Sequence, residues 1–239
     1  MKNTLEENFI NIASTSRGRR IWKLNPELGR ASCAALFLDG ELYLERVNAV
    51  PVLRQLQAER KIPSTLAIFV SSNSAAARHS DYTGDADYTT FLVQDVVPWL
   101  LNSHGEIGCE RMTIVGLSLS GLAAAYAALT HQSQFCSAIC QSPSFWWNEE
   151  RLSSSLPPAT DSRPAFWISV GNQETERGLC HPPSGLLQLT SQIEACQRGC
   201  DALREARYNV SYRVFEGGHD PACWREDLVL ALPWVANSA

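Results

Sequence analysis

Ser118 stands in Gly116-Leu-Ser118-Leu-Ser120-Gly121, between the β-branched run Met112-Thr-Ile-Val115 and the Ala/Leu-rich stretch from Leu122 to Leu129. A strand, a small-residue turn and a helix in that order make a sharp bend that exposes a serine oxygen for attack on a carbonyl. Such a bend needs small residues two before and two after the nucleophile, because backbone passes close on both sides. Gly116 meets the first need, and Ser120, with Gly121 directly after it, meets the second approximately. Choosing Ser120 as nucleophile would put Leu122 at a small position, so Ser118 is the assignment.

A hydroxyl is a weak nucleophile near neutral pH and needs a general base. Of the five histidines, His79 and His104 precede the bend, His131 ends the helix that leads away from it, and His181 opens a Pro-rich turn. His219, in Phe215-Glu-Gly217-Gly218-His219-Asp220, follows the last strand-like run and precedes the last helix. That is where a base belongs when the chain order is serine, acid, histidine. The acid is expected after the preceding strand, in Gly171-Asn-Gln-Glu174-Thr-Glu176. Glu174 is the first choice for fixing the imidazole tautomer, and Glu176 is its competitor. One donor to the tetrahedral oxyanion should be the Leu119 amide, and the other the amide of Gly40 or Glu41 in the loop after an early strand.

The elements that must position these groups alternate along the chain. Strands are expected at Arg20–Leu24, Cys33–Leu38, Thr65–Ser71, Met112–Val115, Cys136–Cys140, Ala165–Val170 and Val210–Phe215, all short and apolar as buried parallel strands are. Helices are expected at Ala49–Arg60, Tyr88–Ser103, Leu119–Thr130, Gly185–Arg207 and Asp220–Val235. This alternation predicts a single α/β domain over residues 1–239, with a doubly wound, mainly parallel sheet and helices on both faces. The stretches Ser72–Asp87 and Asn148–Arg163 read as irregular and should border the site.

With 239 residues, 45% hydrophobic and 19% charged, the chain has globular composition. Its net charge of −5 argues against a general nucleic-acid binder. No run is long enough to span a membrane and no export signal is visible, which points to the cytoplasm. The eight cysteines, including Cys33, Cys109, Cys136, Cys140, Cys180, Cys196, Cys200 and Cys223, show no C-x-x-C pairing, so reduced thiols and no metal site are expected. No cofactor is implied.

Five segments together carry a more specific likeness. They are Leu38-Asp-Gly-Glu41; Arg78 with Phe91-x-x-Gln-Asp-Val-Val-Pro-Trp; Gly116–Gly121; Gln141-Ser-Pro-Ser-Phe-Trp146-Trp147; and Gly217-Gly-His219-Asp-Pro-Ala-Cys-Trp224-Arg. From about residue 8 onward the chain resembles the catalytic domain of enterochelin esterases, in the esterase-D-like branch of the α/β-hydrolases. The additional N-terminal domain of the cytoplasmic members has no counterpart, and Ser120-Gly121 stands where Gly-Gly is usual. The resemblance implies cleavage of the esters of a catecholate trilactone siderophore, free or ferric, followed by cytoplasmic iron release. It also implies that Arg78 faces the anionic substrate and that Trp146 or Trp147 forms an aromatic wall behind it. Two rival readings share the scaffold: a generic carboxylic-ester or thioester hydrolase, and a non-catalytic binding protein.

Overall fold

The structure is a computed structural model describing residues 5–10, 18–26, 29–84, 86–103, 107, 111–156, 160, 162–182 and 185–238. His104 and Cys109 lie outside the described residues. Its centre is an eight-stranded sheet, ordered β1 (Glu6–Ile10), β2 (Arg19–Leu24), β4 (Thr65–Val70), β3 (Cys33–Phe37), β5 (Met112–Leu117), β6 (Ser137–Gln141), β7 (Ala165–Gly171) and β10 (Val210–Phe215). From β4 to β10 every pairing is parallel, while β1 and β2 add antiparallel at one edge. All seven expected strands are present, within one or two residues at their ends.

Because successive strand residues face opposite sides, each central strand feeds two cores. Leu36, Ile68, Ile114, Ala138 and Ile168 face one side, where α3 (Ala75–Tyr82), α4 (Ala86–Phe91), α5 (Val97–Ser103), α6 (Leu119–Thr130) and α8 (Gln192–Glu205) supply Tyr82, Phe91, Leu100, Leu122, Cys196 and Leu203. Phe37, Phe69, Val115, Ile139 and Trp167 face the other, against Leu53 and Leu56 of α2 (Ala49–Ala58) and Leu228 and Leu232 of α9 (Pro221–Ser238). The sheet is therefore doubly wound, as the strand–helix alternation predicts. Two further short helices, α1 (Gly40–Leu42) and α7 (Trp147–Ser154), start in the loops after β3 and β6.

Four expectations are corrected. Much of the stretch expected to be irregular over Ser72–Asp87 is helical: Ser74 caps α3 by accepting the Ala77 N–H at 3.1 Å, and α4 starts at Ala86. The first part of Asn148–Arg163 is α7, although Asn148, Glu149 and Glu150 hold φ of 48°, 55° and 58°. The helix expected from Gly185 begins only at Gln192, where Ser191 and Glu194 form a reciprocal capping box. Upstream, Leu186–Gln188 is strand β9, paired antiparallel with β8 (Leu179–His181). Leu186 and Leu189 mimic a helical period, yet Leu189 is 69% exposed. The helix expected over Tyr88–Ser103 is interrupted by a π-wound turn at Leu92–Val96, which ends two residues before Pro98, whose ring would crowd the carbonyl of Gln94 in a continuous α-helix.

Candidate active site

Ser118 joins β5 to α6 with φ 54° and ψ −122°, a conformation that costs a non-glycine residue about 1–3 kcal/mol. The surroundings impose it. The Ser118 N–H donates to the Gln141 carbonyl at 2.9 Å, and its own carbonyl accepts from Leu122 at 3.2 Å and Ser144 at 3.0 Å. A Cβ on Gly116 would lie 2.0 Å from the Ser120 carbonyl oxygen, so glycine is obligatory there. Ser120 is buried, and its Oγ donates to the Leu117 carbonyl at 2.7 Å while accepting the Leu117 N–H at 2.9 Å. That hydroxyl is spent on clasping the turn. Ser118, in contrast, lines a cavity of about 450 Å³ at the carboxyl end of the sheet.

His219 and Glu174 line the same cavity. The imidazole Nδ1 lies 2.7 Å from Glu174 Oε2, and the ring stands edge-on to Trp224 at 4.7 Å. Glu174 Oε1 accepts from Ser142 Oγ at 2.6 Å and from the Gly171 N–H at 2.8 Å. Trp224 Nε1 in turn donates to Ser142 Oγ at 3.0 Å. One carboxylate oxygen is thus anchored by two donors while the other meets the imidazole, an arrangement that places a proton on Nδ1 and leaves Nε2 as the basic nitrogen. Glu176 borders the cavity but is exposed, whereas Glu174 is buried. The Gly217–Gly218 turn brings the loop back over β7: a Cβ on Gly171 would meet the Gly217 carbonyl oxygen at 2.4 Å.

Leu119 is the first residue of α6 and lines the cavity, so its amide belongs to the helix-start donors that have no intrahelical partner. Gly40 and Glu41 open α1 after β3, the strand beside β5, in a register that pairs Phe37 with Val115. A Cβ on Gly40 would meet the Phe69 backbone at 2.9 Å. The Glu41 carboxylate turns to the end of β4, where it accepts from Ser71 Oγ and from the Ser72 N–H at 3.1 Å.

Arg78 lines the cavity, with its guanidinium on the buried Asp39 at 2.7–2.9 Å. Burial opposes that charge, but the Asp39 carboxylate more than offsets it and leaves the Arg78 pKa raised. Trp146 also lines the cavity, donating from Nε1 to Gln192 Oε1 at 2.6 Å. Trp147 does not join it there: it lines a separate cavity with Tyr126, His131 and Arg151, because adjacent residues at the start of α7 point different ways. The aromatic wall comes instead from His181, whose ring stacks on Trp146 at 5.0 Å and 12°, with its Nε2 2.9 Å from Gln188 Oε1. His181, Gln188 and Gln192 were not among the expected site residues. The signal for them is Gly185 between two short strand-like runs, a hairpin cue. Among the described residues no group of three His, Cys, Asp or Glu side chains could hold a metal ion.

The family described as Putative esterase matches residues 13–235. The chain belongs to that family. An iron(III) enterobactin esterase of Dickeya dadantii is 25% identical over 228 residues, covering 91% of this chain and 51% of its own length. The enzyme of the same name from Escherichia coli K12 is also 25% identical over 228 residues, with 90% of this chain and 53% of its own length covered. The chain therefore spans about half the length of the curated relatives it matches. Among solved structures, the enterobactin esterase of Shigella flexneri aligns with a TM-score of 0.83 at 21% identity, over 99% of this chain and 59% of that one. That likeness is one of fold, and with the sheet order above it gives this esterase-family chain an α/β-hydrolase fold.

Proposed function

We propose that the chain is a serine ester hydrolase using Ser118, His219 and Glu174. The observation that carries this reading is the 2.7 Å contact of His219 Nδ1 with the anchored Glu174 carboxylate, in one cavity with Ser118. In the proposed reaction His219 Nε2 takes the Ser118 proton as Oγ bonds to the ester carbonyl carbon. The resulting oxyanion is met by the Leu119 amide and an amide of Gly40 or Glu41. Collapse breaks the ester C–O bond, His219 returns the proton to the departing alkoxide, and the acyl group stays on Ser118. Water, deprotonated by His219, then releases the acid and restores the serine. Glu174 holds the imidazole and stabilises it when charged, without bonding to substrate.

The proposed substrate is a catecholate trilactone siderophore of the enterobactin type. The names of the curated relatives support this, and so does the flat Trp146–His181 wall, which suits an aromatic acyl group. Opening the lactone ring would loosen a ferric chelate, so iron release in the cytoplasm is the proposed consequence. Incubation with the cyclic trilactone and with its linear products, followed by mass spectrometry, tests the substrate: stepwise gain of one water per cleaved ester is expected. Ser118→Ala should lower kcat by about 10⁶-fold, as for the serine of a comparable hydrolase, with an unchanged melting temperature. An organophosphonate should label the wild type and not the variant. Unlabelled wild-type protein that binds the siderophore intact would make it a binding protein on a hydrolase scaffold. Cleavage of simple esters alone would make it a generic esterase.

A further inference from the structure

Asp39 is the residue immediately before Gly40 and holds the left-handed conformation φ 54°, ψ 48°, which a side chain adopts only where its surroundings impose it. Its backbone N–H donates to Tyr82 Oη at 3.0 Å, and its carbonyl accepts the Tyr43 N–H at 3.1 Å. Its carboxylate is wholly buried and meets Arg78 through Nε at 2.8 and 2.9 Å and through one Nη at 2.7 Å. Arg78 and Tyr82 are one turn apart on α3, with the guanidinium 5.7 Å over the phenol ring. One face of α3 therefore grips the turn after β3 at both its backbone and its side chain.

We infer that Arg78 is a positioning residue: acting through Asp39, it fixes the turn that carries the Gly40 and Glu41 amides at the end of the strand paired with the one leading to Ser118. This rests on the serine-hydrolase reading, in which that turn supplies an oxyanion donor. An oxyanion forms on every ester, so a displaced donor slows neutral and anionic substrates alike. An arginine that served chiefly to bind an anionic substrate would instead favour that substrate alone. The two roles have opposite kinetic signatures.

The test measures kcat and KM of variants with a neutral short-chain p-nitrophenyl ester and with an anionic catecholate serine ester, alongside thermal melts. Arg78→Ala strands a buried carboxylate, so Asp39→Asn and the double variant Asp39→Asn/Arg78→Met, which removes both charges, guard against a simple folding defect. Each single variant should lower kcat for both esters by the same factor, about ten- to a thousandfold, the upper bound being loss of a whole oxyanion donor. KM should stay within about threefold, because the interaction lost is one made in the transition state. The double variant should be no worse than either single one, since both act on one turn. Arg78→Lys should recover only part of the rate, because an ammonium cannot make the two-pronged contact. A loss confined to the anionic ester, or an Asp39→Asn enzyme equal to wild type, overturns the inference. Activity persisting in Ser118→Ala overturns the hydrolase reading instead.

Discussion

Glu174 divides its two carboxylate oxygens between two tasks, anchoring on Ser142 and Gly171 through one and facing His219 with the other. Glu174→Gln should therefore lower kcat by about 10⁴-fold, the cost of losing the acid in a comparable triad. Glu176→Gln should leave turnover near wild type, because that side chain is exposed. Ser142→Ala keeps the carboxylate and removes one of its two anchors, so a loss near tenfold is expected, in line with about 1.5 kcal/mol for a hydrogen bond to a charged group. Steady-state kinetics on a simple ester checks all three, and collapse in Glu176→Gln alone would displace the acid by two residues. At this scale the convergence of Ser118 and His219 on one cavity was legible, because small neighbours and chain order mark them. The Glu174–His219 contact was not: it depends on the Gly171 amide and on Ser142, which lies 32 positions away in sequence. The alternative of Trp146 or Trp147 stayed open for a related reason, since sequence shows two indoles side by side but not which one the turn aims into the cavity.

Among the elements, the hairpin of β8 and β9 was masked because its leucines continue the period of α8, which outweighed the Gly185 cue, and the Ser191–Glu194 box marks the true helix start. It matters because it delivers His181 to the face of Trp146. Trp146→Ala should raise KM for an aromatic acyl ester about three- to tenfold relative to an aliphatic one, from about 0.5–1.5 kcal/mol of ring stacking. His181→Ala should shift the same ratio in the same direction by less. Equal losses on both substrates would make the wall structural. The strands, by contrast, were legible nearly to the residue, because a buried parallel strand is a short apolar run whichever sheet it enters.

At the scale of the whole molecule, the doubly wound sheet followed from strand–helix alternation, whereas the antiparallel β1 did not, since Glu6-Glu-Asn-Phe-Ile carries no apolar run. One of the two cores also decides thiol chemistry, since it holds Cys140, Cys196 and Cys200. Burial pushes the Cys140, Cys196 and Cys200 thiols up, disfavouring the reactive thiolate, whereas Cys180 on the hairpin is exposed. Alkylation at pH 8 with peptide mapping should modify Cys180 within minutes and those three only in denaturant. Early modification of Cys140 would mean that the core opens locally. The same division of the molecule bears on descent. Ser118, Glu174 and His219 leave the ends of sheet strands, where a shift of one residue disturbs the whole fold, while His181 rides on a two-stranded outgrowth between β7 and α8. On the proposed reading, mutations that lengthen, shorten or exchange that outgrowth would change what is gripped without touching what cuts. On that reading, related chains could part in diet by drifting in the hairpin from Leu179 to Gln188 alone.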